Sequence, residues 1–175
     1  TARSRVELAP ADNEWNLKVQ TNGVVESRTS ANSGPVRLRS HGATDFHGSK
    51  SVVVRPDGVH LRPSNVEANA SNRLMGVTTD YDWLPIIGGI ARDRAMQEYR
   101  ARRNRVRTEM ELRVAAEASE TLDRETHEAL EQARQKLHAR FTQRFEQYGI
   151  KMTTVEMKST ADRLVARVRV AGDEQ

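Results

Sequence analysis

Residues 92–148 run for 57 positions without Gly or Pro and are crowded with Arg, Glu and Ala. Nothing in that stretch stops a helix, and its composition favours one. At a rise of 1.5 Å per residue a helix of that length reaches about 85 Å, roughly twice the width of a compact chain of 175 residues. Such a helix has to protrude, bend back or find a partner. Along one face fall Met96, Tyr99, Val106, Met110, Val114, Ala118, Leu122, Ala129 or Leu130, Ala133, Leu137, Phe141, Phe145 and Tyr148. Their mean spacing of about 3.7 residues is longer than the 3.5 of a left-handed coiled coil, so the stripe suits a nearly straight helix lying on a sheet. The one place where the sequence invites a break is Ser119-Glu120-Thr121-Leu122-Asp123, where poor helix formers coincide with good N-caps.

The flanks read as strands. Trp15-Asn16-Leu17-Lys18-Val19, Pro35-Val36-Arg37-Leu38-Arg39 and Ser51-Val52-Val53-Val54 alternate or cluster apolar residues between turn formers. A hairpin is expected at Arg55-Pro56-Asp57-Gly58-Val59, opposing Val53 to Leu61, and a second at Thr21-Asn22-Gly23, opposing Val19 to Val25. Thr29 to Gly34 reads as a loop. After a stop at Gly149, residues 150–157 and 164–170 form a second strand pair joined at Ser159-Thr160-Ala161-Asp162. A lone hairpin is marginal in water and needs a sheet to join. The fold class expected is therefore α+β: a bent antiparallel sheet, built from N- and C-terminal strands, packed on one long, once-broken or continuous, amphipathic helix. This places residues 1–80 as strands, 81–91 as an apolar connector, 92–148 as helix and 150–171 as a hairpin of the same single domain.

Cysteine is absent, which removes disulfides and thiolate chemistry. No phosphate-binding loop, dinucleotide fingerprint or nucleophile elbow occurs, and nothing implies a cofactor. His41, Asp45 and His47 form the single metal-like cluster, with Asp45 and His47 on one strand face, but the spacing matches no zinc pattern. Solvated side chains are the preferred reading there. Arg100, Arg102, Arg103, Arg105 and Arg107 form a basic block and the pI is near 9.7. Against nucleic acid stand a net charge of only +4, an acidic segment that follows, and the lack of interleaved aromatics.

Trp83-Leu84-Pro85-Ile86-Ile87-Gly88-Gly89-Ile90 is the most apolar segment, and Arg92 and Arg94 follow at once. As a contact surface, Trp83, Leu84, Ile86, Ile87 and Ile90 would meet a hydrophobic ligand, a lipid boundary or a protein partner. As packing, which is the preferred reading, Pro85 opens the helix and the isoleucines plug the sheet's core. No run of about 20 apolar residues is available for a membrane span. Thr1 in place of Met, together with a Ser-, Thr-, Asn- and Gly-rich first 80 residues and the tripeptide Asn69-Ala70-Ser71, suggests an exported or processed chain. The expectation is a secreted or cell-envelope binding module without enzymatic activity. It would take a protein partner or a hydrophobic molecule through the long helix and the groove beneath it, with self-assembly through the helix as the alternative.

Overall fold

Alternation in the sequence becomes alternation in burial along the longest strand. In a computed structural model that describes residues 1–137 and 150–172, β4 (Val36–Arg55) carries Val36, Gly42, Thr44, Gly48, Lys50 and Val52 buried on one face and Arg37, Arg39, Asp45 and His47 exposed on the other. The period of two that defines a pleated strand holds along most of β4 and breaks at Ser40-His41, both half-buried, and at Val52-Val53, both buried. Its partners in the five-stranded sheet are β3 (Trp15–Ser33), β5 (Gly58–Leu61) and β6 (Asn65–Thr79), with β1 (Ala2–Ala9) beyond β3. The helix, α1, is continuous from Pro85 to Leu137 and packs on this antiparallel strand assembly. A second sheet has the order β2 (Ala11–Asp12), β7 (Ile150–Ser159), β8 (Leu164–Gly172).

Contacts divide the chain into two compact units. The first comprises Thr1–Ala2, Asn22–His47 and Val66–Ala118, and the second Arg3–Thr21, Gly48–Asn65 and Ser119–Gln175. β3, β4 and α1 each contribute residues to both. The first unit buries Val36, Ala70, Ala95 and Val114, and the second buries Val52, Val53, Leu122 and Met157. Small residues dominate the inner face of β4, which explains a thin core with few aromatics.

The C-terminal hairpin reaches strands from the other end of the chain, as the sequence required. Asp12 pairs with Lys158 in register, and their side chains form an ion pair at 2.7 Å. Ser159, 1% exposed, donates its hydroxyl to the Ala9 carbonyl at 2.6 Å and accepts the Asn16 amide at 3.2 Å. The Trp15 indole donates to the Val165 carbonyl at 2.8 Å. The hairpin thus completes a three-stranded sheet with β2 and leaves β8 at its end, with Val165 and Val168 exposed.

Several local expectations are corrected. Thr21-Asn22-Gly23 is no turn, because β3 runs straight through it. Gly23 is there for closeness: a Cβ at this position would lie 2.5 Å from the Phe46 ring, and the Asn22 carbonyl oxygen is occupied by the His47 imidazole. Thr29 to Ser33 is strand, and the chain reverses at Gly34-Pro35, where Gly34 takes φ 56°. The other hairpin is tighter by one residue than expected. Val52 faces Leu61 and Arg55 faces Gly58, so Pro56-Asp57 alone forms the loop and Gly58 adopts φ 151°.

The helix starts at Pro85, seven residues earlier than the sequence boundary, and residues 85–91 are helix, not connector. Its first bond runs from the Gly88 amide to the Leu84 carbonyl at 2.8 Å. The preceding turn is locked by Thr79, whose hydroxyl donates to Asp82 at 2.8 Å, and by Arg92, whose guanidinium reaches back to the same carboxylate at 2.8 Å. Gly88 is buried because the Tyr81 carbonyl lies against it, 2.7 Å from where a Cβ would sit. No break occurs at Ser119. Its hydroxyl is bonded to that of Ser64 at 2.6 Å, so the residue serves as a tie to the segment between β5 and β6 and not as a cap. Phe141, Phe145, Tyr148 and Gly149 lie outside the described residues.

Candidate functional site: a groove beneath the helix

In the first unit, residues Ala91, Arg94, Ala95, Glu98, Tyr99, Arg102 and Val106 recur at intervals of three and four along α1 and so project from one side of it. Opposite them stand Thr29 and Ala31 of β3, Val36, Leu38 and Ser40 of β4, and Asn72 and Leu74 of β6. Between the two walls lies a cavity of about 560 Å³, in the range of small-molecule sites. It stays open because the helix presents alanines at 91 and 95, and of its lining side chains only Tyr99 is aromatic. Two buried polar atoms of the lining residues, the Tyr99 hydroxyl and the Asn72 side-chain Oδ1, have no hydrogen-bond partner among the described residues. Glu98 on the rim is held by Arg102 at 2.7 Å. A smaller apolar cavity of about 330 Å³ occurs within the second unit, between Val6, Leu17, Val19 and Val52 on strands and Leu122, Thr126 and Leu130 on the helix.

The apolar segment does not enter the core. Trp83, Ile86, Ile87 and Ile90 are 76%, 79%, 50% and 66% exposed, and Leu84 is half-buried. With the helix phased from Pro85, Gly88 takes the packed position and the isoleucines fall on the outer side, which corrects the reading that they plug the sheet. None of these five lines the groove. Ile90 borders only a shallow hollow with Arg94, Gln97 and Glu98.

Arg100, Arg102, Arg103, Arg105 and Arg107 are all exposed. At about 100° per residue Arg100, Arg103 and Arg107 share one side of the helix and Arg102 and Arg105 lie on the opposite side, so the five do not form a single cationic stripe. Arg107 is committed to structure, donating to Glu111 at 2.9 Å and to the Asn69 side-chain Oδ1 at 2.9 Å. Glu111 also accepts the buried Ala70 amide at 3.0 Å. The tripeptide Asn69-Ala70-Ser71 is thereby tied into β6, with the Ser71 hydroxyl donating to the Ala43 carbonyl at 3.1 Å. His41, Asp45 and His47 share the outer face of β4, but the His47 ring is engaged by Asn22. Among the described residues no three His, Cys, Asp or Glu side chains converge to hold an ion, and no helix is long and apolar enough to cross a membrane.

The bonds from Ala70 and Arg107 hold the Glu111 carboxyl below its ordinary value of 4.5, and those from Thr79 and Arg92 hold Asp82 below 3.8. A depressed carboxylate stabilises the fold above its unfolded pKa and loses that contribution as pH falls through the folded value. The contribution of these two carboxylates should therefore be fully present above about pH 5 and decline below about pH 4. Glu111→Ala strands the Ala70 amide without an acceptor and is expected to lower the urea unfolding midpoint at pH 7. The shift should shrink in acid, read by urea unfolding at both pH values.

The groove carries no sequence motif. Its walls come from four elements, and the one hint available was Tyr99 on the helix stripe facing the alternating Val36 and Leu38. Comparison with family models, curated proteins and solved structures finds no match.

Proposed function

We propose that this chain is a non-enzymatic binding module that holds a hydrophobic small molecule in the groove of its first unit. The observation that carries the reading is the 560 Å³ cavity walled by Val36, Leu38, Leu74, Ala95, Tyr99 and Val106. A space of that size lined by apolar side chains is a place where apolar ligand surface can leave water, at about 25 cal/mol per Å² removed. The candidate ligand contacts thus move from residues 83–90 to the sheltered side of residues 91–106. The exposed Trp83, Ile86, Ile87 and Ile90 form a second apolar surface, suited to a protein partner or to another copy of the chain. The Ser-, Thr- and Asn-rich first 80 residues support an extracytoplasmic setting for this role.

Native mass spectrometry of the purified chain tests the proposal together with uptake of an environment-sensitive apolar dye. A bound adduct of small mass, or dye uptake, is expected in the parent. Both should be lost in Ala95→Trp, which fills the groove, while its far-ultraviolet circular dichroism is retained. A bare monomer that takes up no dye would sink the reading. A multimer without ligand would replace it with self-assembly through the residue 83–90 surface.

A further inference from the structure

We infer that the groove's occupant is an amphiphile with a single negatively charged head, its head at Arg94 and its apolar tail lying beneath residues 95–106. The inference deepens the binding role just proposed and rests on it. Three features carry it. First, the groove is long: its helical lining extends from Ala91 to Val106, a run of about 22 Å at 1.5 Å per residue. A cavity of about 560 Å³ drawn out over such a length fits an extended chain better than a compact ring system.

Second, the interior and the rim differ in chemistry. Val36, Leu38, Leu74 and Val106 provide hydrocarbon walls, interrupted by the Tyr99 hydroxyl and the Asn72 side-chain oxygen, whereas Arg94, Glu98 and Arg102 supply charge. An occupant matched to both must be apolar along most of its length and ionic at one point. Third, the charges on the rim are not equivalent. Glu98 and Arg102 neutralise one another at 2.7 Å, and among the described residues Arg94 has no ion-pair partner although it lines the groove. Its guanidinium is exposed, so an anionic head bound there keeps part of its hydration while accepting two parallel N–H bonds. Glu98, one helical turn away, disfavours a second negative charge. A carboxylate or a phosphodiester meets these requirements; a neutral or cationic head does not.

The test is displacement of a dansylated fatty acid from the full chain by laurate and by dodecanol, which share a tail and differ in the charge of the head. Laurate should compete about tenfold more tightly than dodecanol, a tenfold ratio being 1.4 kcal/mol. Arg94→Gln should remove most of that advantage and leave dodecanol unchanged, which also certifies that the variant is folded. Arg94→Lys should retain part of it. A mono-anionic phospholipid below its micellar concentration, run beside laurate, distinguishes a lipid headgroup from a free acid as the source. Equal competition by laurate and dodecanol, with Arg94→Gln indistinguishable from the parent, would overturn the anionic head while leaving the groove a binding site. Failure of the dansylated probe to bind at all would instead remove the binding role on which this inference stands.

Discussion

Asp123→Ala is expected to destabilise the second unit by about 3 kcal/mol, the cost of leaving a buried charge unpaired. Lys50 projects from the inner face of β4 and is only 5% exposed, yet it carries an ammonium group. Its Nζ lies 2.5 Å from the Asp123 carboxylate on α1. Burial alone would raise the Asp123 pKa, but the bonds from Lys50 and Ser64 outweigh it and hold the carboxyl below its ordinary value. Removing the carboxylate therefore strands the cation, whereas removing the cation leaves a carboxylate that is 44% exposed and can hydrate. The asymmetry is the test. Urea unfolding of Asp123→Ala should show a clear drop in midpoint, Lys50→Met a smaller one, and the double variant Lys50→Met with Asp123→Leu should recover most of the stability. Equal losses in both single variants would show that the ammonium of Lys50 already reaches water.

Leu122→Ala is expected to cost about 3 kcal/mol, towards the low end of the 2.7 to 5.0 observed for buried leucines. Leu122 is 3% exposed and Val52, which lines the same cavity, is 2% exposed, so the leucine is the main apolar contribution of this part of the helix to the second unit. The cavity beside it, about 330 Å³, would enlarge and not collapse. Because Leu and Ala are both good helix formers, the loss would report packing and not helix propensity. Thermal unfolding should fall by about 6 to 12 °C if the domain unfolds cooperatively. A change within 2 °C would mean that the side chain is not packed as described.

How far the sequence foretold this structure depends on the range of the interaction involved. The helix was legible because its signal is local: no Gly or Pro for 57 residues and an apolar stripe whose Val114 and Leu122 are buried. Its start was placed at residue 92, where the Gly- and Pro-free run begins, whereas the helix opens at Pro85, as the packing reading had it, and Gly88 within it signals lack of bulk beside the Tyr81 carbonyl and not a stop. The same ambiguity misled at Gly23, a turn signal by composition that turned out to be a contact with Phe46. A glycine chosen for lack of bulk and one chosen for a positive φ are spelled identically. The Pro56-Asp57 turn was located correctly and missed by one register position, since Pro-Asp-Gly suits both loop lengths. For the candidate site, composition pointed to residues 83–90, the most apolar run. The groove instead gathers moderately apolar positions from β3, β4, β6 and α1, none conspicuous alone. Such a cavity is a property of what fails to fill a space, and alanines at 91 and 95 give no sign of it until the opposing strands are in place.

The last strand of the three-stranded sheet has a consequence for how this protein behaves at high concentration. β8 has β7 on one side, and among the described residues no strand hydrogen-bonds to its other side, although Val165 and Val168 are exposed along it. An edge without a strand partner beside valines invites docking of a second chain's edge, although the Val165 carbonyl already accepts the Trp15 indole. Arg167 and Arg169 stand on the same strand, with Arg167 reaching Glu156 at 2.8 Å. Two copies meeting edge to edge would bring guanidinium groups together, so Arg167 and Arg169 would oppose such pairing.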